Sequence, residues 1–230
     1  MILDAIKFTN SLFLNHFSKF FVVVFPLYVM QFFVYLAFSA VPGNEFGTSS
    51  SPTNFGQQIL SNLLTVYSYA LVILLIDDIY KERSRSVSNY FYQALYFFPK
   101  MLGIGIISGI LVVFGFILFI LPAFYLLARL MFSPYIGLME NIPILDSVKK
   151  SFEITKDKGW NLFGYIAAII FPIILILIVI LGGFAVLLLP GNQHVYMAFG
   201  FFGSFLTFIY LAIYIYRLFI NLKKTENESI

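Results

Sequence analysis

The chain has 230 residues, 60% of them hydrophobic, 20% aromatic and only 11% charged, with a formal net charge of +3 and a mean hydropathy of +0.92. A soluble domain carries about 25% charged residues, and here the apolar residues run in stretches of membrane-spanning length, so this composition is that of a multi-span membrane protein. The absence of cysteine excludes disulfides, thiolate metal sites and cysteine nucleophiles.

The opening residues, MILDAIKFTN, lack a basic stretch running into an apolar one with a small-residue cleavage site, so no removed signal peptide is expected. Residues Ile2 to Phe17 are too polar to span. Ile2, Ile6, Phe13 and Phe17 fall near one helical face, which fits a helix lying in the membrane interface or one packed under the spans. Phe20 to Val41 is uncharged and is span 1, with a kink expected at Pro26. Pro42 to Gln58 reads as a polar loop. Ile59 to Ile76 is span 2, ending at Asp77-Asp78, with Lys81, Arg83 and Arg85 beyond. Val87, Tyr90, Phe91, Ala94 and Phe98 then fit a second surface-lying helix.

Met101 to Met139 is roughly twice the length a bilayer needs. A turn at Pro122 divides it into span 3 (101–121) and span 4 (123–139), with a kink expected at Pro134. Gly105 and Gly109 form a small-xxx-small pair beside Gly103, the pattern of close helix packing in lipid. Ile144, Leu145, Val148, Phe152 and Thr155 line one face of a third short helix, with Asp146 expected to cap its start and Gly159 its end. Span 5 runs over 162–189 with a kink at Pro172. Residues Pro190 to His194 form a turn, span 6 runs over 195–220, and a polar tail follows.

Thirteen of the fourteen Lys and Arg residues fall on one side if the termini, the 77–100 segment and the 140–160 segment share a compartment. The opposite loops then carry none, a strong positive-inside signal. The expected architecture is an all-α integral membrane fold: one domain over 1–222 and a tail at 223–230. It has six transmembrane helices, about three amphipathic interfacial helices on the cytoplasmic side, and both termini cytoplasmic. Ser86-Val87, Phe91 and Gly103 recur at one spacing as Ser147-Val148, Phe152 and Gly164, which fits repeated units of interfacial helix plus hairpin.

Arg129 lies inside an apolar stretch, where a guanidinium costs at least about 2.5 kcal/mol to insert. Either it faces the bundle interior and binds a lipid phosphate or other anion, or it snorkels to the outer headgroups. Asp77-Asp78 superficially resembles an acidic metal-diphosphate motif, with Glu140 the one plausible partner; the blander expectation is a span ending at water. Lys149 and Lys150 are expected contacts for anionic headgroups. His16 and His194 are isolated. No catalytic, cofactor or metal residues and no nucleic-acid partner are expected; anionic membrane lipids and envelope proteins are the expected partners.

The segment LPAFYLLARLMFSPYIGLMENIPILDSVKKSFEITKDKGWNLFG, with its proline corner, Pro134, Glu140, the LDSVKKSFEIT helix and Trp160, resembles the YciC family of bacterial inner-membrane proteins. It is also similar to the membrane domain fused to some glycerophosphodiester phosphodiesterases. FTNSLFLNHFSKFFVVVF and YIYRLFINLKK resemble that family's ends. The resemblance implies a polytopic inner-membrane protein without established catalytic residues. A non-enzymatic role in envelope or membrane-lipid homeostasis is therefore the first expectation. A transporter or lipid translocator with a polar path at Arg129 is the second, and a membrane enzyme acting on lipid headgroups the third.

Overall fold

The computed structural model describes residues 2–39, 52–187 and 193–228, and among them every regular element is an α-helix. In chain order these are α1 (Ile2–Asn15), α2 (Phe17–Ser39), α3 (Pro52–Tyr80), α4 (Val87–Leu118), α5 (Ile120–Leu130), α6 (Ser133–Met139), α7 (Ile144–Ile154), α8 (Gly159–Leu187) and α9 (Gln193–Glu228). Among the described residues six stretches are long and apolar enough to cross a membrane: Phe17–Ser39, Phe55–Tyr80, Val87–Leu118, Ile120–Met139, Gly159–Val179 and Met197–Thr225.

α9 is the hub, packing against α1, α2, α3, α7 and α8. Where lipid surrounds the helices, packing and interhelical hydrogen bonds hold them together, and α9 supplies both. Phe205 meets Phe21, Phe25 and Tyr28 edge-on. The Tyr135 hydroxyl donates to the Ala212 carbonyl at 2.8 Å, the Tyr214 hydroxyl to the Tyr165 carbonyl at 3.0 Å, and the Tyr216 hydroxyl to Asp77 Oδ1 at 3.2 Å. Each of these long side chains carries a polar tip into the core and finds a partner there.

α1 docks on α9 through Ala5, Thr9 and Leu12, all buried, with Asp4 paired to Arg217 at 3.1 Å and Tyr210 donating to Asn10. Of the two expectations for this segment, packing under the spans describes its contacts; Ile2, Ile6 and Phe13 are half-buried while Leu3 and Leu14 are exposed.

Several boundaries differ from expectation. The 86–98 segment is no separate surface helix: it is continuous with span 3 as α4, which passes through Pro99. The reversal falls at extended Phe119, and Pro122 sits in the first turn of α5, where a missing N–H costs nothing. Gly115 makes that reversal tight, since a Cβ there would lie 2.8 Å from the Ala123 Cα. At Pro134 the stretch breaks outright into α5 and α6, because Pro134 opens a new helix. Pro26 and Pro172 lie inside the unbroken helices α2 and α8.

Residues 52–58 belong to α3 and not to a loop, and α9 carries the expected tail on as helix to Glu228. His194 is likewise helical. The remainder of the expected 42–58 loop (42–51), residues 190–192 of the expected turn, and the last residues of spans 1 and 5 lie outside the described residues. The repeat does not extend to the elements: its first copy is one helix, whereas in the second a break at 155–158 separates α7 from α8.

Candidate functional site

The end of α3 gathers charge. Two turns of apolar sequence, Ala70 to Ile76, are buried on all sides, and they carry Asp77 and Asp78 into the core with them, 6% and 0% exposed. The helix then reverses: the Arg83 N–H donates to the Asp78 carbonyl at 2.8 Å, with Glu82 in the left-handed region at φ 54°. That reversal folds the following cations back over the two acids. Lys81 pairs with Asp77 at 2.9 Å, Arg83 bridges Asp77 and Asp78, and Arg85 reaches Asp78 at 2.8 Å. A buried carboxylate costs several kcal/mol unless paired, so the acids hold the three cations in place as firmly as the cations hold the acids.

Asp77-Asp78 is therefore not a span ending at open water, and the structure does not bring Glu140 to it. Glu140 lies elsewhere, between Lys150 (2.6 Å) and Lys223 (2.8 Å). Among the described residues no three His, Asp or Glu side chains come together as metal ligands.

Beside the cluster lies a cavity of about 410 Å³ between α3, α4 and α6. Asp77, its three cations Lys81, Arg83 and Arg85, and Gln93 form its polar side, and Ile73, Leu74, Tyr96, Phe97, Leu138 and Met139 its apolar side. Gln93 accepts from Arg85. Cations above an apolar wall suit a ligand with an anionic head and a hydrocarbon body.

The residues singled out from sequence are dispersed. Arg129 neither snorkels outward nor reaches an anion among the described residues. It points to the end of α7, donating from Nε to Thr155 Oγ1 at 3.1 Å, from Nη1 to the Tyr125 hydroxyl at 3.4 Å, and from Nη2 to the Phe152 carbonyl. The Phe152 and Tyr125 rings lie 4.8 and 5.5 Å from its guanidinium carbon. This is a cation at a helix C-terminus, where carbonyls lack partners.

The buried face of α7 is the hydroxyl one, Ser147, Val148, Ser151 and Ile154, while Leu145 is exposed. The hydroxyls satisfy themselves on backbone: Ser151 donates to the Arg129 carbonyl at 2.5 Å and Ser147 to Pro143 at 2.8 Å. Neither expected cap forms, since Pro143 and Thr155 bound α7 and Gly159 begins α8. Lys149 is exposed, and Lys150 is spent on Glu140. Gly103 packs under Ile144, but Gly105 and Gly109 face open space. The close approaches are instead at Gly115, at Gly137 against Ile104, and at Gly159 under the Tyr125 ring. No site expectation from sequence includes Lys81, Arg83 and Arg85; their signal is the alternation of three cations beginning three residues after two acids.

The chain is similar to a UPF0259 membrane protein of Wigglesworthia glossinidia brevipalpis. The two are 28% identical over 171 residues, 74% of this chain, and the match spans 65% of that protein's length. No family model matches the chain, and no solved structure matches it. With the six apolar helices, this makes it a multi-pass membrane protein whose relative belongs to an uncharacterised family.

Proposed function

We propose that this protein binds anionic phospholipid at the cytoplasmic face of a bacterial inner membrane and serves membrane-lipid or envelope homeostasis without catalysing a reaction. The observation that carries the reading is the amphipathic cavity, with Lys81, Arg83 and Arg85 fixed by buried acids above an apolar wall. The distribution of basic residues supports the orientation. The side chains at one end of the bundle agree with it: Arg217 meets Asp4, Lys223 meets Glu140, and Tyr216 meets Asp77. The resemblance of the central segment to the YciC family, and to the membrane domain of the phosphodiesterases, supports an inner-membrane setting. A transport path at Arg129 is less well supported, because Tyr125, Phe152 and Thr155 take up its donors.

Native mass spectrometry of the protein extracted with its lipids tests this. Anionic phospholipid is expected to stay bound to the parent, and Lys81→Gln, which leaves Asp77 paired with Arg83, is expected to lower its occupancy about tenfold. Retention of zwitterionic lipid alone would remove the reading.

A further inference from the structure

Arg83 and Arg85 line a second cavity as well as the first. It holds about 320 Å³ and lies against the first turns of α2, with Ser18, Lys19 and Ser84 completing its polar side and Val22, Leu75 and Val87 on its apolar side. Lys19 has no carboxylate within ion-pair distance among the described residues. Four cations thus face two carboxylates, which leaves two positive charges to be met by a ligand. Glu82, the other acid of this connection, lines a separate hollow with Tyr80 and His16.

Each cavity is amphipathic on its own, and the two share their arginines. One phospholipid uses one cation set and one apolar wall, so it fills half of this arrangement. A soluble diphosphate would use the charges and neither wall. Building on the proposed lipid binding, we infer that the two cavities are halves of one site for a two-phosphate lipid in which two phosphatidyl units share a headgroup. Arg83 and Arg85 stand between the phosphates, Lys81 and Lys19 meet their outer oxygens, and the two acyl-chain pairs leave along separate walls.

The test titrates full-length protein in detergent with a diphosphatidylglycerol and a phosphatidylglycerol, compared per phosphate and read by native mass spectrometry. The parent is expected to favour the two-phosphate lipid about tenfold. Lys19→Gln is expected to bring the two lipids near parity, and Lys19→Arg, which keeps the charge, to restore the preference. Equal affinity in the parent, or a Lys19→Gln variant that keeps the preference, overturns the inference. Loss of the preference in both Lys19 variants would make residue 19 structural and overturn it too. The lipid reading itself survives these results if Lys81→Gln still weakens phosphatidylglycerol binding, and falls if that lipid never binds. Inorganic diphosphate is expected to leave the melting temperature unchanged; stabilisation matching that by the lipid would reassign the site to a soluble ligand and overturn the lipid assignment.

Discussion

Arg129 directs its guanidinium to a carbonyl and a hydroxyl at the end of α7, to the Tyr125 hydroxyl on its own helix, and to two aromatic faces. In a low-dielectric setting such contacts are costly to lose, because the neighbouring carbonyl is left without a donor. Arg129→Ala is therefore expected to lower stability by about 2 kcal/mol, read by denaturant unfolding in micelles. Arg129→Lys should recover only part of that, since an ammonium cannot present the planar fork. A variant as stable as the parent would remove this role. From sequence alone, Arg129 could be recognised as anomalous in an apolar stretch. Two of its partners, Phe152 and Thr155, lie more than twenty residues further on, and no local pattern pairs them with it.

At the scale of elements, the glycines divide by what lies opposite them. Gly115 faces the Ala123 backbone, while Gly105 and Gly109 face nothing within 4 Å. Adding a methyl group at Gly105 or Gly109 should stabilise α4 by up to about 1 kcal/mol through helix propensity. At Gly115 the same change must spread the α4–α5 hairpin and should destabilise. Thermal unfolding of Gly105→Ala and Gly115→Ala should thus move in opposite directions, and parallel shifts would contradict the packing described. Spacing on one helix cannot distinguish these positions, because it names a face without saying which neighbour arrives there.

Glu140 joins α6 to α7 and α9 through Lys150 and Lys223. Partial burial pushes its carboxyl up, but the two lysines outweigh that and hold it below its ordinary value of 4.5. A depressed carboxyl contributes stability above its unfolded value and loses it as pH falls through the folded value. The melting-temperature gap between the parent and Glu140→Gln should therefore be constant above about pH 4.5 and close on acidification below it. A gap independent of pH would show that the lysine pairs contribute nothing.

For the whole molecule, the distribution of charge makes a prediction independent of any ligand. The chain has no cysteine, so single thiols can be placed without background. A cysteine at Glu45 is expected to react with an impermeant reagent on intact cells, and one at Glu153, exposed on α7, only after permeabilisation. Reaction of both from outside would invalidate the proposed orientation and with it the lipid reading.

Two features are legible in the sequence alone: six stretches suited to hydrocarbon and a spacing of basic residues between them that carries the proposed orientation. Both follow from summed transfer free energies along contiguous residues, which need no knowledge of neighbours. Tertiary structure decided where helices break, which glycines touch, where Arg129 points, and that Asp77 and Asp78 are buried beneath three cations. Those outcomes depend on contacts between distant segments: the same pair of aspartates would sit at open water if α9 and the 81–86 connection did not close over it.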